Sequence, residues 1–382
     1  MQTGRQKIEA AFSKEGSREF AAVDCWEYVF IRDHWDQLTT SPWYDQYAPD
    51  LERQTAWRRD VSANTGQDFL HLETFYSRQE RENLTIEHRP EGVFLTDQAN
   101  KKSRKLEPPV VGGWSRHGQV ASVETTDLPQ TPEELDDQVL PRLASNAGRE
   151  KPNGSADLAH ALIKEHGQRL YPIAYADAPL WYFYELWGFE GMMMMIGGQP
   201  DLSKRALPHF TTRTLEAVQE AALLGAAGIL IWECFTDMIS PQAYETFSVP
   251  YMRQVVAECR RLGVKSIYSF SGGPAGKLDA ILSIGADALA FEESKKDFIV
   301  DIREIAEYID GRCTLFGNLD AIGVLQDGSE TQLRNAIAEQ ISAGRQNRNR
   351  FVVNLGSPVT PATPVERVRL YCDLVHAMSR DL

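Results

Sequence analysis

Carboxyl side chains stand at the ends of several short apolar runs in the last two thirds of the sequence. Asp177 and Glu233 end two of these runs, and Glu292 ends a third. Carboxyl groups that crowd one cleft push their pKa values apart, so that one can stay protonated near neutral pH. A protonated carboxyl suits the protonation of a carbon atom or a leaving oxygen, whereas an ionised set would suit a hard cation such as Mg²⁺. We therefore predict that Asp177, Glu233 and Glu292 are catalytic residues.

Further polar and aromatic residues lie at or near the ends of such runs, and we predict that they bind the substrate. This set comprises His71, Trp181, Tyr268, Ser269, Ser271, Asn318, Asp320 and Ser357. Structural alternatives exist for several of them. Asp320 is equally placed to cap a following helix. His71 could equally be a core histidine whose ring nitrogens are hydrogen-bonded within the protein. Trp181 could equally lie in a buried interface between a helix and the sheet.

The apolar runs themselves predict a parallel α/β fold. Each is a near-continuous hydrophobic segment, as expected for a strand that is buried on both faces. Amphipathic segments with the 3.6-residue period of a helix separate them. The predicted strands are 170–175, 228–232, 266–270, 288–291, 313–316 and 351–354, and the predicted helices are 212–224, 241–261, 278–284, 299–309, 329–344 and 364–378.

Two more strands would close a barrel, and segments 20–30 and 69–75 are the candidates. A doubly wound open sheet is the alternative, but no Gly-x-Gly-x-x-Gly sequence follows an early strand, so a dinucleotide-binding fold has little support. We predict a single-domain (β/α)₈ TIM barrel over residues 1–382, with an N-terminal helical elaboration. Residues 98–154 are rich in Pro, Gly, Ser and charge and are predicted to be an excursion from the barrel. The basic cluster at 101–105 within them is typical of a solvated loop or hairpin, with an anion-binding site as the alternative.

Three motifs in the second half of the sequence carry a family resemblance. They are Phe-Gly-Asn-Leu-Asp at 316–320, the Asn-Leu-Gly-Ser-Pro segment that continues to a Thr-Pro pair at 354–364, and Ser-Pro-Gln-Ala-Tyr at the start of 240–251. In this order, at strand ends and a helix start, they resemble the uroporphyrinogen decarboxylase superfamily. That superfamily includes uroporphyrinogen decarboxylases and corrinoid-dependent methyltransferases. The resemblance covers residue 170 to the C-terminus and implies a TIM barrel and a homodimer.

The sequence also departs from the family pattern. The arginine-rich N-terminal stretch that binds the polycarboxylate in uroporphyrinogen decarboxylases has no counterpart, because segment 26–36 offers only Arg32 and His34 as cations. The zinc ligands of the methyltransferase branch are matched by Ser269, Ser271 and Ser357. A serine hydroxyl is a poor zinc ligand beside thiolate and imidazole, so no metal ligand is predicted.

The resemblance leads to three functional hypotheses. The first is a methyltransferase-like enzyme that demethylates a small aryl methyl ether or methylamine, with the methyl group passing to a corrinoid on a partner protein and no cofactor held directly. The second is a carboxy-lyase that resembles uroporphyrinogen decarboxylase. The third is a barrel that binds a ligand without catalysis.

Composition narrows the class of protein. The formal net charge of −14 argues against a nucleic-acid partner, which would require a basic surface. The five cysteines occur singly, which is typical of reduced thiols in the cytoplasm. The first 16 residues contain no apolar core of a signal peptide, and the most apolar run is too short for a membrane helix. We therefore predict a cytoplasmic enzyme with a small-molecule substrate.

Overall fold

The computed structural model describes residues 2–112, 127–143, 153–295 and 297–381. Within these ranges the strands are β1 (Ala22–Val23), β2 (Phe69–His71), β3 (Leu84–Arg89), β4 (Gly92–Asp97), β5 (Lys102–Lys105), β6 (Tyr171–Asp177), β7 (Gly228–Glu233), β8 (Lys265–Phe270), β9 (Ala288–Phe291), β10 (Thr314–Phe316) and β11 (Phe351–Asn354). The helices are α1 (Gly4–Phe12), α2 (Glu27–Leu38), α3 (Leu51–Thr65), α4 (Arg78–Asn83), α5 (Pro132–Leu143), α6 (Asp157–His166), α7 (Trp181–Gly198), α8 (Pro200–Leu224), α9 (Pro241–Phe247), α10 (Val249–Leu262), α11 (Leu278–Ser283), α12 (Ile302–Ile309), α13 (Glu330–Gln346) and α14 (Val365–Asp381). A 3₁₀ segment, Trp43–Tyr47, and a π-helical turn, Ala321–Gln326, complete the secondary structure of these ranges.

Eight parallel strands form the barrel in the order β1-β11-β10-β9-β8-β7-β6-β2. The seam between β1 and β2 is closed mainly by one residue. The backbone N–H of Asp68 donates to the carbonyl of Ala22 at 2.9 Å, and the Asp68 carboxylate accepts from the Ala22 N–H at 2.9 Å. The same carboxylate contacts the His376 ring of α14 at 2.7 Å. The predicted (β/α)₈ fold is confirmed.

The six strands predicted in the last two thirds of the sequence are all present, with ends shifted by at most two residues. The prediction of one strand over 20–30 is wrong, because only Ala22–Val23 is extended and α2 begins at Glu27. The strand predicted at 69–75 ends at His71. The helix predicted at 241–261 is divided at Ser248, since Pro250 lacks the N–H needed to continue the hydrogen-bond ladder of α9.

Local sequence signals account for most helix ends. Ser240 accepts from the Ala243 N–H, and Pro241 occupies the first turn of α9. Ser329 and Gln332 form a capping box at the start of α13. Gly225 and Gly263 end α8 and α10 in the left-handed conformation that favours glycine. No helix in the described part of the chain combines the length and the hydropathy needed to cross a bilayer.

The lower end of the barrel is closed by α1. Ile8 and Ala11 of this helix pack against the inward-facing side chains of the barrel strands, such as Phe69 and Phe316. The Thr314 hydroxyl donates to the carbonyl of Ala11 at 2.7 Å. These contacts leave the carboxyl ends of the strands as the end at which a ligand can enter, as in other barrels of this type.

A three-stranded antiparallel sheet, β3-β4-β5, lies in the chain between barrel strands β2 and β6. The basic cluster at 101–105 belongs to its second hairpin, in which Asp97 pairs with Lys102. The hairpin alternative for this cluster is therefore confirmed. The sheet begins at Leu84, before the predicted start of the excursion at residue 98, and residues 113–126 and 144–152 of the excursion lie outside the described residues.

Candidate active site

The upper end of the barrel presents a ring of inward-facing residues. Side chains alternate between the two faces of a strand, so the residues that follow Ile173, Leu230 and Ile267 by two or four positions also face inward. In strand register, Asp177 lies beside Trp232, and Trp232 lies beside Ser269. The mouth therefore contains the predicted residues Asp177 and Ser269 together with an unpredicted tryptophan.

Aromatic rings form a continuous stack across one side of this mouth. Trp26 and Trp232 lie parallel with ring centroids 4.6 Å apart and an interplanar angle of 8°. Tyr175 also stacks on Trp232 at 5.0 Å, and His71 meets Tyr175 edge-on at 4.4 Å. We call these four residues the aromatic stack. A flat apolar ligand would find extensive ring contact here.

A cavity of about 710 Å³ opens over the aromatic stack. Its volume lies in the range of about 300–1,000 Å³ that is typical of small-molecule sites. Its lining includes His71, Tyr175 and Trp232 of the stack. The ionisable side chains around it include Glu27, Arg32, Arg58, Glu73, Arg104 and Lys105. This is the candidate active site.

Two buried carboxyls, Asp24 and Glu27, lie at the end of β1. Burial raises the pKa of Asp24 to about 7. Burial raises the pKa of Glu27 to about 7 as well, with a further contribution from the charge of Asp24, while a hydrogen bond with Gln67 and the charge of Arg58 oppose it. Glu27 lines the cavity, and Asp24 is fixed by the Trp26 N–H at 2.8 Å. We call the two carboxyls the acid pair, because near neutral pH they hold protons that ordinary carboxyls would have released.

Arg58 is a cation whose charge lowers the pKa of Glu27 in the acid pair. Its side chain is 13% exposed, forms an ion pair with Glu73 and stacks over the Trp57 ring at 3.9 Å. Burial lowers the pKa of Arg58, and the charge of Glu73 opposes this shift. The guanidinium in turn holds the pKa of Glu27 lower than burial alone would set it.

The structure brings several predicted residues to the mouth besides Asp177 and Ser269. His71 lines the cavity. Glu292 accepts from the Gly272 N–H at 2.9 Å, and burial raises the pKa of this carboxyl. Ser271 accepts from the thiol of Cys234 at 3.5 Å. Burial raises the pKa of that thiol, and the charges of Glu292 and Asp177 add to the shift. Asp177, Ser271 and Glu292 therefore occupy neighbouring positions on the rim.

Glu233 and Tyr268 are placed on the outer face of the barrel rather than in the mouth. Glu233 follows the inward-facing Trp232 by one position, so its side chain points to the helical layer. There it accepts from Ser248 at 2.7 Å and from Tyr268 at 3.2 Å, and it is fully buried. The predicted catalytic role of Glu233 and the predicted substrate contact of Tyr268 do not fit this placement, and we leave both out of the site.

Glu233→Gln should therefore change stability rather than turnover. Burial raises the pKa of Glu233 from 4.5 to about 7. The folded state then binds the proton more tightly than the unfolded state, so stability present below pH 4.5 is lost as the pH rises to about 7. The glutamine variant lacks this loss. Relative to wild type it should gain about 3 kcal/mol between pH 4 and pH 8 in denaturant unfolding. An equal pH dependence in the two proteins would contradict the buried-carboxyl assignment.

Three other predicted residues are held by structural hydrogen bonds. Asn318 donates to the carbonyls of Glu292 and Val300, each at 3.1 Å, and accepts from Gln340 at 3.0 Å. Its amide therefore ties together the loops that follow β9 and β10. The amide thus serves backbone groups and Gln340, and Asn318 is absent from the cavity lining.

Asp320 and Ser357 are similarly engaged. The Asp320 carboxylate accepts from the N–H groups of Ile322 and Gly323 at 2.9 and 2.8 Å, so it caps the π-helical turn. Ser357 is fully buried and donates to the Glu293 carboxylate at 2.6 Å, while Lys295 donates to the Ser357 hydroxyl at 2.6 Å. Glu293 also forms an ion pair with Lys295, in which the carboxylate is buried and the lysine is partly exposed. The structure does not bring Asp320 or Ser357 into the cavity lining.

Trp181 lies on the rim, apart from the aromatic stack. Its ring stacks on Phe235 at 5.8 Å and contacts Tyr184 at 4.8 Å. Phe235 itself has a φ of 64°, a left-handed conformation that is uncommon for an aromatic residue. Trp181 therefore belongs to a second aromatic group outside the cavity.

The donor set does not fit zinc. In the part of the chain that the structure describes, no three His, Cys, Asp or Glu side chains are arranged to hold a metal ion. The three positions that match the family's zinc ligands are serines, and the hydroxyl of Ser357 already bridges Glu293 and Lys295.

Comparison with known proteins identifies relatives. Residues 126–378 match the uroporphyrinogen decarboxylase family. The chain is 28% identical over 240 residues to the uroporphyrinogen decarboxylase of Cupriavidus necator. The matched region covers 59% of this chain and 64% of that protein. It is 27% identical over 192 residues to that of an Anaeromyxobacter species, with 50% and 53% covered. The matches thus span less than two thirds of the length of these relatives.

Among solved structures, the chain is similar to a methyltransferase from Methanosarcina mazei. The TM-score is 0.63 at 15% sequence identity, and the match covers 99% of both chains. At this level of identity the similarity concerns the fold alone. It extends over the N-terminal third, which the family match does not reach.

Proposed function

The chain belongs to the uroporphyrinogen decarboxylase family, since the family match covers well over half of it, and we propose on this basis that it is a cofactor-independent carboxy-lyase for a flat aromatic carboxylate. The observation that carries the proposal is the position of the acid pair. Glu27 lines the cavity that opens over the aromatic stack, with a pKa raised to about 7. A carboxyl that stays protonated at neutral pH beside an aromatic platform is a suitable donor to a ring carbon.

The proposed reaction uses one proton and no other reagent. The aromatic stack holds the substrate ring, and Glu27 donates its proton to the ring carbon that bears the carboxylate. The bond between that carbon and the carboxylate then breaks, its electron pair stays on the ring, and carbon dioxide leaves. Glu27 regains a proton from water, and the Asp24 charge favours this reprotonation because it raises the pKa of Glu27.

Carbon dioxide release tests the proposal directly. The purified chain would be incubated with pyrrole carboxylates and hydroxybenzoates, and ¹⁴CO₂ from carboxyl-labelled substrates would be counted. Turnover of at least one of these ring carboxylates is expected without added metal or cofactor. Absence of release from the whole panel, with a folded protein and ligand binding intact, would reject the carboxy-lyase.

The rate should depend on pH in a defined direction. The acid form of Glu27 is the reactive one, and its pKa is raised to about 7, so kcat should be highest below pH 7 and fall about tenfold per pH unit above it. Arg58→Gln removes a charge that lowers this pKa, so the fall should begin at higher pH in that variant. A kcat that stays constant from pH 6 to 9 would contradict Glu27 as the donor.

Methyl transfer is the second candidate. The same geometry would place a methoxyarene on the aromatic stack with its ether oxygen facing Glu27, which suits protonation of a leaving oxygen. In this proposal the methyl group passes to a corrinoid on a partner protein. The formation of methylcobalamin from cob(I)alamin and methoxybenzoates, measured alongside carbon dioxide, separates the two reactions. Ligand-induced thermal stabilisation without either product would favour a non-catalytic binding barrel.

A further inference from the structure

The three-stranded sheet β3-β4-β5 forms one wall of the candidate active site. Leu95 of β4 and Leu106, just beyond β5, are buried, so the sheet packs on the rest of the molecule rather than extending into solvent. Arg104 and Lys105 of β5 line the cavity. The barrel supplies other lining residues, among them Tyr175 and Trp232. An inserted element thus adds positive charge to the same cavity that the aromatic stack lines.

Most cationic side chains of the cavity lining already form an ion pair with a carboxylate of the protein. Arg32 pairs with Asp33 at 2.7 Å, with both side chains buried. Arg58 pairs with Glu73, and Lys105 pairs with Glu107 at 2.9 Å. These pairs neutralise three of the four cations before any ligand arrives.

Arg104 is the exception within the described residues of the lining. No ion pair or hydrogen bond of its guanidinium is formed with these residues, and its main contact is with Tyr47, whose ring centroid lies 5.6 Å away. Stacking on an aromatic face limits the orientations of a guanidinium and leaves its N–H donors available. A guanidinium held in this way is suited to a planar anion such as a carboxylate or sulfonate.

That anion cannot be the carboxylate lost as carbon dioxide. Decarboxylation converts a charged group into a neutral one, so a strong ion pair with the departing group would stabilise the ground state more than the transition state. An arginine contact is useful only to a group that keeps its charge throughout the reaction. A substrate anchored by Arg104 therefore needs a second anionic group.

We propose that Arg104 of the inserted sheet determines substrate specificity by binding an anionic anchor group that is retained in the product. The preferred substrate class is an aromatic ring with one carboxylate that is lost and a second anionic substituent held by Arg104. This inference rests on the proposed function for the identity of the departing group. The anchor contact itself can be tested without turnover.

The test compares two probes by isothermal titration. Neither carries the ring hydroxyl or amine that activates a ring carbon for protonation, so both bind without turnover. Benzoate carries one anionic group, and 4-sulfobenzoate carries two. Wild type should bind 4-sulfobenzoate roughly tenfold more tightly than benzoate, which is typical of one charge-assisted contact at a partly exposed site. Arg104→Gln should remove this preference, and Arg104→Lys should restore part of it. Lys102→Gln is the matched control, since Lys102 lies on the same strand but does not line the cavity. This variant should keep the preference of wild type.

Two results would overturn the anchor role. One is an equal affinity of wild type for both probes, and the other is an equal loss of preference in the Arg104→Gln and Lys102→Gln variants, which would indicate a diffuse effect of charge. Carbon dioxide release is scored separately on the same proteins. A preference that depends on Arg104 in a chain without decarboxylase activity would support the anchor and reject the carboxy-lyase.

Discussion

Glu27→Gln is expected to lower kcat for carbon dioxide release by about 10²–10⁴-fold, with KM changed by no more than a few-fold. Glutamine keeps the shape of the side chain and its hydrogen bond with Gln67 but has no proton to give. The cavity and the aromatic stack remain, so the substrate should still bind. The measurement is kcat at pH 6, where wild-type Glu27 is mostly protonated, since its pKa is raised to about 7.

The matched control is Glu330→Gln, which makes the same chemical change on the exposed first turn of α13, far along the chain from the acid pair. It should retain the wild-type rate. Loss of folding is not expected in Glu27→Gln, because burial already disfavours the charge that the substitution removes. A kcat within threefold of wild type would exclude Glu27 as the proton donor.

Trp232→Ala should raise KM by about 30-fold, which corresponds to about 2 kcal/mol of lost binding. Trp232 is the central ring of the aromatic stack, between Trp26 and Tyr175. Its removal takes away the platform for the substrate ring and leaves the acid pair untouched. KM and kcat would be determined from initial rates over a range of substrate concentrations, and kcat is expected to fall less than the affinity.

Trp232→Phe serves as the comparison for this second prediction. The smaller ring can still stack on its two neighbours, so most of the affinity should return. Equal KM values for the alanine variant and wild type would show that the substrate does not lie on the aromatic stack. Equal losses in the alanine and phenylalanine variants would indicate that the indole nitrogen, rather than the ring face, makes the contact.

The fold could be predicted from the sequence because buried parallel strands are near-continuous apolar runs. Segments such as 228–232 and 351–354 have no polar face to alternate with, and Gly or polar residues bound them. The first strand offered much less signal. It has two residues, and the apolar side chains that follow it belong to α2, whose buried residues include Val29 and Phe30.

The predicted end of the first strand determined whether Asp24 and Glu27 could be recognised as site residues. A strand predicted to continue to residue 30 places Asp24 and Glu27 in its interior. A strand that ends at Val23 places them at the mouth of the barrel. A shorter β1 was the available signal, since Asp24 and Glu27 interrupt the apolar run. Polar residues are depleted in strands that are buried on both faces.

Strand ends alone do not determine which face a side chain occupies. Trp232 and Glu233 are adjacent at the end of β7, yet the tryptophan faces the cavity and the carboxyl faces the helical layer. The sequence prediction favoured the polar residue, Glu233, which lies on the outer face of the barrel. Arg58 and Arg104 could not be predicted as site residues for a different reason. They belong to α3 and β5, which reach the cavity only through tertiary packing.

The closure of the barrel through Asp68 has a consequence for local motion. Elsewhere around the barrel, strands are joined by ladders of backbone hydrogen bonds, while at this seam one carboxylate replaces part of a ladder. Amide hydrogen exchange should accordingly be fastest where the ladder is shortest, at Ala22 and its neighbours, and slowest along β7 and β8. Glu27, the proposed proton donor, follows β1 at the start of α2. Small displacements at this seam can therefore adjust its distance to a ligand without loosening the rest of the barrel.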